Sequence, residues 1–208
     1  MPFGTGKVAL LGAAGSGGAG SSDLEFVQKH ELTSGSSLIQ FTGLDTTYDH
    51  YLILWRARHT NSADGSSMNI KMNSDTSNAV WQHRYMYDGP DATNQANYKG
   101  TTYSGSSTGR VGAVIGTSGG KNAYHWSHGY TDITAANDVN VYNNAVGVSG
   151  GYKGGNGSTS WGNNGLYYYA STLKFQSQVT SIQITVNDGS YTFGSGSKFV
   201  LYGYKAAS

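Results

Sequence analysis

From residue 23 onward the apolar positions recur at every second residue. In His50–His59 (HYLILWRARH), Tyr51, Ile53, Trp55 and Ala57 fall on one side of an extended chain, and Leu52, Leu54, Arg56 and Arg58 on the other, because successive side chains of a strand point to opposite faces. The segment predicts a central strand, buried on both sides at its start and emerging into solvent at the arginines. Met68, Ile70 and Met72 alternate with Asn69, Lys71 and Asn73, the pattern of a half-buried strand. The same reading places strands at 24–32, 37–41, 79–87, 110–115, 123–133, 139–148, 165–175, 179–186 and 198–204. No helix of convincing length is predicted, although Ser21 or Ser22 followed by Glu25 gives the first of these runs a cap-like start.

The connections carry turn chemistry: Ala63-Asp64-Gly65, Asp88-Gly89-Pro90-Asp91 and Asn187-Asp188-Gly189 supply residues that cap turns or tolerate positive φ. Two polar stretches with scattered Tyr and Trp, 88–109 and 149–164, read as extended loops at one end of the fold. Short strands at this spacing predict an all-β domain over 23–208, an antiparallel two-sheet sandwich, jelly-roll-like, of about ten strands. Residues 1–22 (MPFGTGKVALLGAAGSGGAGSS) stand apart, as an extended Gly/Ala-rich arm whose anchors are Phe3, Val8, Leu10 and Leu11. Such a segment is a floppy coil when isolated, so the expectation is that a neighbouring subunit or another partner holds it.

Composition narrows the function. The 208 residues hold 13 Lys and Arg against 12 Asp and Glu, a net charge of +1, which lacks the basic footprint of a nucleic-acid binder. No apolar run is long enough for a membrane-spanning helix, so membrane insertion is not expected. With no Cys, disulfides and thiolate metal sites are excluded. The 31 Gly against 2 Pro favour strands joined by tight turns.

Candidate chemistry fails on context. Gly15-Ser16-Gly17-Gly18-Ala19-Gly20 satisfies a dinucleotide fingerprint in letters but lacks the strand–helix–strand unit around it. Gly4-Thr5-Gly6-Lys7 is followed by Val8, where a phosphate loop needs Ser or Thr. His125 and His128 are three apart, which on a strand sends them to opposite faces and away from a shared metal ion. Most of the aspartates sit beside Gly, Asn, Ser or Thr and read as turn formers. No catalytic residue, no metal and no cofactor is expected, and the reading is of a protein that is not an enzyme. What remains is aromatic: Trp81, Tyr85, Tyr87, Tyr98, Tyr103, Tyr124, Trp126, Tyr130, Trp161 and Tyr167-Tyr168-Tyr169 are candidates for a subunit interface or for stacking on a glycan, beside plain sheet packing, with Trp81, Tyr103, Trp126 and Trp161 foremost.

The order of elements resembles a group of small virion structural proteins of tailed bacteriophages, common among marine and cyanobacterial phages. The matching residues are Leu44-Asp45-Thr46-Thr47-Tyr48-Asp49-His50-Tyr51-Leu52-Ile53 leading to Arg56 and Arg58, then Met68-Asn69-Ile70-Lys71-Met72-Asn73-Ser74-Asp75. Val179-Thr180-Ser181-Ile182-Gln183-Ile184 and the closing run Phe193-Gly194-Ser195-Gly196-Ser197-Lys198-Phe199-Val200-Leu201-Tyr202-Gly203-Tyr204 follow. The resemblance covers about residues 24–204 and is weakest over about 88–165. It implies a self-assembling subunit on the exterior of the phage particle, assembled in the host cytoplasm, and the expected oligomer is a homotrimer. The arm would contact other virion proteins, in the tail, baseplate or fibre or as capsid decoration. The rival reading is a lectin-like host-recognition module that binds a surface glycan through the two long loops, with Trp161 and Tyr103 as the residues to test.

Overall fold

The alternating segments form strands throughout. The computed structural model describes residues 24–60, 66–74, 79–87, 99–106, 108–116, 126–153, 163–173, 177–187 and 189–205; the arm and Trp161 lie outside them. Twelve strands run through these residues: β1 (Glu25–Glu31), β2 (Leu38–Thr42), β3 (His50–His59), β4 (Ser66–Met72), β5 (Ala79–Tyr87), β6 (Lys99–Ser106), β7 (Gly109–Gly116), β8 (Ser127–Thr134), β9 (Asn143–Lys153), β10 (Asn163–Leu173), β11 (Ser181–Val186) and β12 (Lys198–Tyr204).

They build two antiparallel sheets. The larger runs β1-β12-β3-β8-β9-β10-β5-β6 and the smaller β2-β11-β4-β7. A short parallel pairing of Arg58 with Ile115 and His59 with Gly116 joins them at one corner. Eight of the strands are wound as a jelly roll. Taken in chain order as β1, β2, β3, β4, β7, β8, β11 and β12, the first pairs with the last, the second with the seventh, the third with the sixth and the fourth with the fifth. This nested pairing is a long hairpin rolled up so that alternate turns lie in opposite sheets. The other four strands come as two insertions, β5–β6 and β9–β10, which widen the larger sheet beyond β8.

The core lies between the sheets, where period two turns one side of each strand inward. Tyr51, Ile53 and Trp55 of β3 and Phe199 and Leu201 of β12 face Met68, Ile70 and Met72 of β4 and Ile182 and Ile184 of β11, all buried. Each such side chain contributes roughly 1.5–3 kcal/mol on leaving water.

At β7 the packing changes character. One edge of β7 pairs with β4, and along the other its backbone groups are met by side-chain hydroxyls from the larger sheet. Ser171 Oγ donates to the Arg110 carbonyl and accepts from the Arg110 N–H, both at 2.8 Å. Ser149 Oγ accepts from the Ala113 N–H at 3.0 Å, and Thr131 Oγ1 donates to the Val111 carbonyl at 3.4 Å. Three hydroxyls thus satisfy backbone groups that would be costly to bury unpaired.

Several expectations are corrected. The stretch 88–109 is not all loop, because Lys99–Ser106 pairs with β5; its Gly, Ser and Thr give no apolar alternation to read. The stretch 149–164 is strand at both ends, since β9 runs to Lys153 and β10 begins at Asn163. Val139 and Val141 fall outside β9, in an exposed connection. The start of β3 is buried on one side only: Leu52 is half-buried and Leu54 exposed.

His59 ends the inward side of β3, fully buried, with its ring stacked on Tyr191 at 5.2 Å between centroids. Burial lowers its pKa from 6.5 to about 4. Below pH 6.5 the unfolded chain therefore takes up a proton that the folded chain refuses, so the stability this site contributes is full above 6.5 and lost progressively down to 4. Urea midpoints should fall over that window by the equivalent of about 2–3 kcal/mol at this site, and His59→Phe should flatten that part of the profile.

Candidate assembly surface

An antiparallel sheet with one face on a core ordinarily turns polar residues to solvent on the other. The larger sheet departs from this over part of its width. On its outward face, cross-strand register lines up Val200, Leu54, Tyr130, Val148 and Tyr168 in one row over β12, β3, β8, β9 and β10. A second row, two residues along each strand, holds Phe26, Tyr202, Leu52, Asp132, Val146 and Ala170. Exposure reaches 62% at Phe26, 42% at Leu54 and Tyr130, 44% at Val146 and 45% at Tyr168. With strands about 4.8 Å apart and alternate residues about 6.8 Å apart, the two rows make a stripe roughly 24 Å by 14 Å. A patch of this order matches the largest on a typical monomer, which is often functional, and tyrosines suit a contact surface because the ring gives area and the hydroxyl stays solvated.

Polar rows border the stripe. On one side lie Lys198, Arg56 and His128, with Lys198 and Lys29 both 2.8 Å from the Glu31 carboxylate. Hydrogen bonds from Lys198 first, and then Lys29, hold the Glu31 carboxyl down to about 2. Trp126 closes this corner: the Arg56 and Arg58 guanidinium carbons lie 4.6 and 4.4 Å from its ring centroid. Gly196, at φ +84°, approaches the same ring so closely that a Cβ there would stand 2.9 Å from it. On the other side His50 stacks on Tyr204 at 4.6 Å, and the Tyr204 hydroxyl donates to Asp132 Oδ1 at 3.1 Å. Burial, then Asp132, raises the Tyr204 hydroxyl to about 12. Asp132, the one carboxylate within the stripe, is thereby bound from its rim.

The stripe begins at the edge strand β1, where Phe26 meets Tyr202 edge-on at 6.3 Å. The described chain starts at Leu24, immediately before this strand, at the rim of the apolar face.

The residues singled out from sequence scatter. Phe3, Val8, Leu10, Leu11 and Trp161 lie outside the described residues. Trp81 and Tyr103 are direct register partners on β5 and β6, away from the stripe. Trp126 is half-buried and given over to its two arginines. Of the aromatics singled out from sequence, Tyr130 and Tyr168 do lie on the stripe, whereas sequence reasoning missed Phe26, Leu54 and Val146. The available signal was strands apolar in both phases, as in Tyr51-Leu52-Ile53-Leu54 and Leu166-Tyr167-Tyr168-Tyr169.

Comparison with protein-family models, with curated proteins and with solved structures finds no significant match for this chain.

Proposed function

We propose that this chain is a structural subunit of a tailed-phage virion, forming a homotrimer on the particle exterior in which the arm of each copy seats on the apolar stripe of the next. The observation that carries the reading is the stripe, an outward apolar sheet face in a protein with a complete core of its own. The arm is its occupant on three grounds. Phe3, Val8, Leu10 and Leu11 supply apolar side chains. The chain leaves β1 at the stripe's rim. Fully extended, 22 residues reach roughly 70 Å, enough to leave one subunit and cross the stripe of another. Exchange of identical arms around a closed ring repeats one modest contact and balances every copy. The resemblance in sequence supplies the setting, as a tail, baseplate or fibre component or capsid decoration.

Leu54→Glu with Tyr130→Glu, and separately removal of residues 1–22, should each convert the trimer to monomer in analytical ultracentrifugation while the far-ultraviolet spectrum and melting temperature stay near those of the parent. Subunits that remain trimeric in both variants, or a parent chain that is monomeric, would overturn the reading; a truncated trimer beside a dissociated stripe variant would leave the stripe and remove the arm. Quantitative mass spectrometry of purified particles then tests the setting, with hundreds of copies expected for decoration and a few tens or fewer for a tail ring.

A further inference from the structure

The smaller sheet has an outward face of different chemistry. Its floor is made by Asn69 and Lys71 of β4 and Gln183 and Thr185 of β11, with Asn69 opposite Thr185 and Lys71 opposite Gln183. Ser37 and Leu38 at the start of β2 form one wall, and Asn187, Gly189 and Tyr191, in the segment after β11, form the other. Together they enclose a half-open groove of about 460 Å³, within the usual range for small-ligand sites.

Asn69 points to what the groove is for. The residue is only 9% exposed, and its Oδ1 is shut off from solvent with no hydrogen-bond partner among the described residues. Leaving a buried amide oxygen unpaired is costly, and such a group in a native fold calls for an explanation. With that oxygen unanchored, rotation of the amide exchanges its oxygen and NH₂ at little cost, so Asn69 can present either an acceptor or a donor pair to the groove. Its neighbours are oriented already. Gln183 Nε2 donates to Ser74 Oγ at 2.9 Å. Asn187 Oδ1 accepts from Arg110 Nη2 at 3.2 Å, which leaves its NH₂ as a donor. Tyr191 is held by its stack on His59 with ring planes 8° apart, a rigid aromatic wall.

We propose that this groove binds a saccharide, with a preference for sugars that carry a carboxylate. Amides and hydroxyls lining one side suit sugar hydroxyls, each of which donates and accepts at once, and the fixed tyrosine suits the C–H face of a pyranose ring. The preference comes from Lys71: among the described residues no Asp or Glu lines the groove and no carboxylate lies within ion-pair distance of its ammonium, while Asp188, between Asn187 and Gly189, lies outside the described residues. The site is on the opposite sheet from the assembly stripe, so an assembled subunit would still offer it, and the inference stands whether or not the assembly reading holds.

The test titrates the full-length ¹⁵N-labelled chain with a panel of neutral and uronic-acid-containing oligosaccharides, with sodium sulfate as the simple-anion control. Uronic-acid oligosaccharides should shift the side-chain amides of Asn69 and Gln183 and the backbone amides around Thr185. Asn69→Ala should weaken that binding by about tenfold, the order expected for one lost hydrogen-bonding group, without lowering the melting temperature, because it removes an unsatisfied group. Lys71→Gln should weaken acidic sugars to the level of neutral ones. No shifts with any sugar would overturn the proposal, as would shifts confined to residues outside the groove, or equal shifts with sulfate. Neutral sugars binding as tightly as acidic ones would overturn the preference assigned to Lys71.

Discussion

Gly147→Ala should abolish the fold. Gly147 lies on the inward side of β9 directly beneath β7, and a Cβ there would stand 1.8 Å from the Val111 carbonyl oxygen and 2.6 Å from its carbon. Both atoms are backbone, so no side-chain rotation relieves the overlap. β7 would have to lift off β9, and the bonds from Ser149, Ser171 and Thr131 that satisfy its free edge would lengthen with it. The cost should exceed about 4 kcal/mol, read as insoluble expression or loss of the cooperative melt. Val146→Ala, one residue away on the solvent side, should change the melting temperature little. A soluble Gly147→Ala protein with a parent-like melt would show that the two strands are not in backbone contact.

Asn73→Ala should cost the second-largest amount, about 2–3 kcal/mol, after allowing for water that reaches this half-exposed turn. Asn73 follows β4 at φ 50°, a left-handed conformation that asparagine tolerates better than other side chains. Its Oδ1 accepts from the Thr180 N–H at 2.8 Å, the Thr180 hydroxyl at 3.1 Å and the Ser181 N–H at 3.0 Å. Its Nδ2 donates to the Gln178 carbonyl at 2.8 Å. One side chain thus staples the end of β4 to the start of β11, two strands more than 100 residues apart in sequence. Asn73→Gly relieves the backbone and restores none of these bonds, whereas Asn73→Asp keeps the acceptor. Urea midpoints should therefore rank parent, Asp, Gly, Ala. Equal midpoints for all four would remove the staple.

Where the inward side chains are large, the sequence was a good guide. Tyr51, Ile53 and Trp55, or Met68, Ile70 and Met72, show their strand and its buried face together, because the core they fill is what period two records. On β9 the same rule points the wrong way. Its inward positions are Ala145, Gly147 and Ser149, small because β7 comes so close, while Val146 and Val148 face outward. A reader who puts the valines inside inverts the strand and removes β9 from the stripe. Leu54 is concealed likewise, since a leucine beside Ile53 and Trp55 reads as core until the sheet's outer face is seen to be uncovered. The polar groove was beyond reach for another reason: Asn69 and Lys71 look like ordinary solvent positions, and only the register with β11 and the wall carrying Tyr191 gathers them.

The nested pairing also governs the order in which the molecule can come into being. β12, the last of the twelve described strands, lies between β1 and β3, so during synthesis those earlier strands wait without the neighbour they share. Contacts of such long sequence separation make folding slow. Val200 and Tyr202, which complete the stripe beside β1, belong to this strand. A nascent chain therefore has its outer apolar face incomplete until translation has passed Tyr204, and fragments stalled earlier lack the strand that joins β1 to β3.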